Sequence, residues 1–149
     1  MSKKIVILFH SGYGHTAKVA QAVAEGSGGA LLAVDAEGNL PEGGWEQLAA
    51  ADAIVFGSPT YMGSVSWQFK KMADASSKVW FTQGWKNKLA AGFTNSASLY
   101  GDKGATLQYL STLATIPELQ SSLRQTQNAL GVLLARGADC AATNRATRR

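Results

Sequence analysis

Cysteine occurs once in the 149 residues, as Cys140. No internal disulfide can form, and neither a multi-cysteine metal centre nor any other metal site is predicted. No apolar run approaches the ~18 residues a membrane-spanning helix needs. Met1-Ser2-Lys3-Lys4 leads straight into an apolar stretch without a signal-peptide core, so a cytoplasmic protein is expected. Arginine is missing before Arg124, and all four tryptophans lie at or before Trp85, which sets the C-terminal residues apart. The formal charge is +4. The lysines are nevertheless scattered, and no stretch interleaves basic with aromatic residues, so nucleic-acid binding is not expected. A mildly basic surface suits phosphorylated small molecules. A Walker loop is excluded because no Gly-Lys-Ser/Thr follows the first strand. A cysteine phosphatase is excluded because the first loop holds neither cysteine nor arginine.

What is present begins at Ile5–Phe9, an unbroken apolar run of strand length, as expected of a parallel strand covered on both faces. It breaks into Ser11-Gly12-Tyr13-Gly14-His15-Thr16, and a helical stretch follows with Val19, Ala20, Val23 and Ala24 on one face. A strand feeding a glycine-containing polar loop that opens a helix is an anion site. Free N–H groups and the helix dipole point at the ligand there, and Ser11 and Thr16 add hydroxyls. Phosphate is the expected anion, with His15 placed to touch it at the first helical turn.

Further along, Ala30–Val34 reads as a second strand and Trp45–Ala51 as a short helix. Ala53–Gly57 is a third strand, ending in Ser58-Pro59-Thr60-Tyr61-Met62-Gly63. Ser64–Ser76 carries Val65, Phe69, Met72 and Ser76 along one helical stripe. Lys78–Trp85 is an aromatic-rich connection, and Leu89–Phe93 a fourth strand that ends in Thr94-Asn95-Ser96-Ala97-Ser98. A helix is predicted over Ala105–Ala114 and a short fifth strand over Val132–Ala135. Trp45 and Trp85 read as core or rim, Trp67 as packing or a subunit contact, His10 as structural, and Lys70, Lys71, Lys86 and Lys88 as solvated. The alternation of strand and helix predicts one α/β domain over 1–149, a doubly wound parallel sheet in three layers. Right-handed crossovers put the loops at 11–16, 58–63 and 94–102 on one edge, at the switch point where such sheets bind ligands.

At these three loops the chain resembles the flavodoxin-like, FMN-dependent NAD(P)H:quinone oxidoreductases and FMN reductases of the tryptophan-repressor-binding-protein type. The resemblance covers about Lys4 to Ala114 and implies strand order 2-1-3-4-5. It implies that Ser11, Gly12, Tyr13, Gly14, His15 and Thr16 hold the FMN phosphate. Pro59, Thr60, Tyr61, Met62 and Gly63 would pack on the isoalloxazine. Thr94, Asn95, Ser96, Ala97 and Ser98, with Gly101 and Asp102, would meet its pyrimidine edge and ribityl chain. The residue types suit a flavin: they offer backbone N–H groups, an aromatic and a soft apolar wall, amide and hydroxyl partners, and Asp102 as an acceptor for the ring N3–H. Tyr13 and Trp80 would flank the substrates, a nicotinamide nucleotide and a quinone-like molecule. No side chain is assigned as general acid or base, because flavin N5 carries the chemistry between NAD(P)H and the acceptor. The family also implies a homodimer or homotetramer. About 116–149 departs from its pattern.

Two other readings stay open at this point. A flavodoxin-type electron carrier would share the fold, although such carriers are usually acidic and this chain is basic. A Rossmann-type dinucleotide site would use Gly12, Gly14 and Ala17 with Asp35, but it leaves the Thr94–Asp102 loop unexplained.

Overall fold

Of the five apolar runs predicted as strands, the four within the described residues lie side by side in one parallel sheet. The computed structural model describes residues 3–99 and 102–115. β1 (Ile5–His10) has β2 (Ala30–Val34) on one side and β3 (Ala53–Tyr61) on the other. A two-residue strand, β4 (Ser64–Val65), folds back antiparallel on the end of β3, and β5 (Leu89–Asn95) runs parallel to β3. The parallel order β2-β1-β3-β5 is the flavodoxin-like order, with the small β4 set aside. The predicted strand at Val132–Ala135, with the rest of 116–149, lies outside the described residues.

The helices are α1 (His15–Ser27), α2 (Gly44–Ala49), α3 (Trp67–Ala75), α4 (Ser77–Phe81) and α5 (Lys103–Thr115). Because alternate strand residues face opposite ways, two separate cores form. Ile7, Phe9 and Phe93 meet Ala20 of α1, with Val19, Val23 and Ala24 packed alongside. Val6, Leu8, Ile54 and Phe56 meet Leu48 of α2, Phe69 and Met72 of α3, and Leu110 and Leu113 of α5. Trp85 seals this second core, tilted against Phe56 at 6.2 Å and stacked on Trp45 at 6.4 Å between ring centroids. Phe56, Phe69, Phe93, Ile7 and Leu8 are wholly buried, each worth about 1.5–3 kcal/mol of transfer free energy.

Four local expectations are corrected. The helix predicted from Ser64 begins only at Trp67, because Ser64 and Val65 pair with Tyr61 and Thr60 before Ser66 caps the helix through Phe69 N–H. Ser58–Tyr61 and Thr94–Asn95 belong to strands rather than loops, so the sheet itself extends into the site. Part of the Lys78–Trp85 connection is helical, as α4. Lys88 is half-buried instead of solvated, its Nζ donating to the carbonyls of Ala49 and Ala51 at 2.7 and 2.5 Å.

Gly57 shows how tightly the central strands are packed. It lies opposite Phe93 across the β3–β5 ladder, and a Cβ there would come within 2.3 Å of the Phe93 ring. That ring is fully buried and has nowhere to go. Gly57→Ala should therefore destabilise the fold by about 1–3 kcal/mol, read as a lower urea midpoint with an unchanged slope.

Candidate functional site

β1, β3 and β5 run parallel, so their carboxyl ends emerge at one edge. There the first segment, Ser11–Thr16, turns into α1. Ser11 Oγ accepts from the Ala17 N–H at 3.1 Å, satisfying one first-turn donor. Thr16 is buried, and its hydroxyl donates to Asn95 Oδ1 at 2.8 Å, fastening the start of α1 to the end of β5. Gly12 lies against the Tyr61 hydroxyl. A Cβ on Gly12 would sit 2.7 Å from that oxygen, so a larger residue would push the tyrosine away. Tyr13, Gly14 and His15 stand exposed at the rim.

The second segment is a hairpin. Met62 and Gly63 link β3 to β4 with φ of +47° and +81°. Positive φ at both central positions is the pattern of a type I′ turn, where asparagine and glycine are the usual pair. Methionine in the left-handed region is uncommon, and this one is fully exposed. Tyr61 lies beside it, edge-on to the exposed Tyr13 at 6.1 Å between centroids. Partial burial, with Tyr13 nearby, raises the Tyr61 phenol above its ordinary value, so it stays protonated near neutrality.

The third segment leaves β5 at Asn95. Ser96 Oγ donates to the Ser98 carbonyl at 2.9 Å, and Lys103 Nζ donates to both Ser96 Oγ (2.7 Å) and that carbonyl (2.6 Å). Asp102 reaches across to the hairpin: its Oδ2 lies 3.2 Å from the position a Gly63 Cβ would take. Gly101 lies outside the described residues. Ala97 and Ser98 are exposed, and Pro59 is buried beside Asn95 in the ladder.

Beneath these segments lies a layer of buried hydroxyls. Thr60 Oγ1 is 2.8 Å from Thr94 Oγ1 and donates to Thr106 Oγ1 at 2.8 Å. Ser58 Oγ accepts from the Ser66 N–H at 3.0 Å. Neither Ser66 nor Thr106 stands out in the sequence. The only available signal is a hydroxyl residue at the first turn of each of two predicted helices.

Trp80 is partly exposed. It sits on α4, along the return from the end of β3 to Leu89, which pairs with Ala53 at the opposite edge of the sheet. With Phe81 it forms an exposed apolar depression bordered by Ser77 and Lys78.

Comparison with known proteins agrees with this geometry. The sequence matches the NADPH-dependent FMN reductase family over residues 43–130. This chain belongs to that family. It is 57% identical to flavodoxin FldP of Pseudomonas aeruginosa over 77% of this chain and 62% of FldP. It is 34% identical to an NAD(P)H dehydrogenase (quinone) of Geobacter metallireducens over 70% of this chain and 63% of that protein. The chain thus spans about three fifths of the length of these two relatives. A crystal structure of a flavodoxin, WrbA-like protein from Agrobacterium tumefaciens superposes with a TM-score of 0.76 at 63% identity, covering 77% of this chain and 73% of that one.

In this FMN reductase family member one buried group beside the site has no partner among the described residues, His10 Nδ1. His10 ends β1, and its ring lies 3.7 Å from the position of a Gly12 Cβ. Burial pushes the imidazole below its ordinary value of 6.5, because the cation would lose its hydration. The unfolded chain takes up this proton near 6.5 and the folded chain only at lower pH. The stabilising contribution is therefore complete above 6.5 and is lost as pH falls below it, by at most about 1.4 kcal/mol per pH unit. His10→Gln should flatten the stability profile between pH 7 and 5 relative to the wild type, as measured by urea unfolding.

Proposed function

We propose that this protein is a cytoplasmic FMN-dependent oxidoreductase that passes electron pairs from NAD(P)H to quinone-like acceptors. The observation that carries the reading is the joining of three strand ends, Thr16 to Asn95 by a hydrogen bond and Asp102 to Gly63 by close approach. The residues present fit FMN. A side chain at Gly12 would displace the Tyr61 hydroxyl, and the edge pairs N–H and hydroxyl donors with an exposed apolar wall. Ser11, Gly12, Tyr13, Gly14, His15 and Thr16 would hold the phosphate. Pro59, Thr60, Tyr61, Met62 and Gly63 would line the ring. Thr94, Asn95, Ser96, Ala97, Ser98, Gly101 and Asp102 would meet its polar edge. Bound FMN would supply the redox chemistry, two-electron transfer between NAD(P)H and the acceptor. The chain's own part is to bind, orient and shield; no side chain at the edge is given an acid or base role.

Exposed Tyr13, at the outer rim, is assigned to the nicotinamide nucleotide. Trp80, on the return path, serves such a site only across a subunit boundary, which fits a homodimer or homotetramer. A second reading, an electron carrier without its own substrate, is favoured by the 57% identity to a protein named flavodoxin.

Anaerobic titration separates the two readings. The purified chain should bind FMN, be bleached by NADPH without a second protein, and turn over with benzoquinone. Bleaching that requires an added reductase would support the carrier; failure to bind FMN would remove both. The hairpin offers a sharper check, because its strain and its contact surface reside in one residue. Met62→Asn should raise the stability of the FMN-free protein by about 0.5–1 kcal/mol. The same change should weaken FMN binding roughly three- to tenfold through lost apolar contact. Urea unfolding and flavin fluorescence titration read the two effects separately.

A further inference from the structure

We propose that Thr106, on the first turns of α5, is a positioning residue that fixes the gap between the hairpin and the β5 segment and so sets FMN affinity. The proposal rests on the reading above of this edge as the flavin site. Thr106 is wholly buried, and Thr60 and Thr94 are buried beside it. Each hydroxyl has one proton to give. Thr60 donates to Thr106, so the contact between Thr94 and Thr60 must have Thr94 as donor. The result is a directed chain from Thr94 to Thr60 to Thr106 that ends on an oxygen supplied by α5.

Each member of the chain sits next to a different part of the edge. Thr60 immediately precedes Tyr61 and the strained Met62. Thr94 immediately precedes Asn95, which holds Thr16. The Thr106 hydroxyl thus anchors the end of β3 directly and, through the Thr60 hydroxyl, the end of β5. Lys103, three residues earlier and on the same side of the helix, fastens the following segment through Ser96 Oγ and the Ser98 carbonyl. Removing the Thr106 oxygen leaves Thr60 with a buried proton and no terminal acceptor. It then competes with Thr94 for the remaining lone pairs, and the strand ends lose their common reference.

Two replacements separate this role from mere packing: Thr106→Val keeps the shape and removes the hydroxyl, whereas Thr106→Ser keeps the hydroxyl. FMN affinity is measured by flavin fluorescence, and the setting of the bound ring by visible circular dichroism. The valine variant should bind FMN about tenfold more weakly with an altered visible spectrum, and the serine variant should stay within about twofold of wild type. Wild-type affinity in the valine variant, or equal losses in both, would overturn the proposal. If the valine variant does not fold, Lys103→Met carries the test: weakened binding with a changed spectrum supports the clamp, and unchanged binding overturns it. A wild-type protein that binds no FMN would instead overturn the reading of function, and this proposal with it.

Discussion

Parallel strand pairing is the constraint from which the rest follows. β1, β3 and β5 lie in a fixed register, with Phe9 opposite Gly57 and Pro59 opposite Asn95. Segments far apart in the chain are thereby delivered to the same edge. The hydrogen bond between Thr16 and Asn95 spans that edge and makes the start of α1 answer to the end of β5. Without parallel order, the polar clusters after each strand would be unrelated turns.

The edge is built by extending the sheet instead of interrupting it. β3 continues through Ser58, Pro59 and Thr60 before the chain turns back at Met62-Gly63. Such an extension buries polar side chains between layers, and each needs a partner. Thr60, Thr94 and Thr106 satisfy one another, and Ser58 serves Ser66. Above this rigid floor stand the groups that have given up comfort for exposure: Met62 on a left-handed backbone, and Tyr13 and Tyr61 at the rim. Rigidity below and exposed apolar surface above is the division of labour expected of a site that must hold a planar ligand.

Much of this was legible in the residues. Long apolar runs at Ile5, Ala53 and Leu89 read as covered strands, and Phe69, Met72 and Ser76 of the predicted stripe are buried along α3 and its cap, whereas Val65 is buried as a strand residue. Convergence of the three polar segments follows from the parallel order that alternating strands and helices imply. What escaped reading depends on pairing across the fold. That Ser64–Val65 forms a strand is decided by a two-residue turn whose first position is an unusual methionine. The burial of Lys88 Nζ is decided by the carbonyls of Ala49 and Ala51, distant in the chain. The role of Thr106 depends on two strands that meet it only in three dimensions. Trp80, matched by its place after the third helix, lies on α4 with Phe81 in an exposed apolar depression. The predicted strand at Val132–Ala135 and Gly101, predicted as a site residue, fall outside the described residues.

The proposed function requires these strand ends to form a socket for a flavin carrying a phosphate. Paired calorimetric titrations with FMN and with riboflavin isolate the phosphate's share, on the wild type and on a Ser11→Ala, Thr16→Ala double variant. The wild type should prefer FMN by at least about tenfold, the worth of several charge-assisted hydrogen bonds to phosphate, and the double variant should lose most of this preference. Equal affinity of the wild-type protein for the two flavins would refute the phosphate socket.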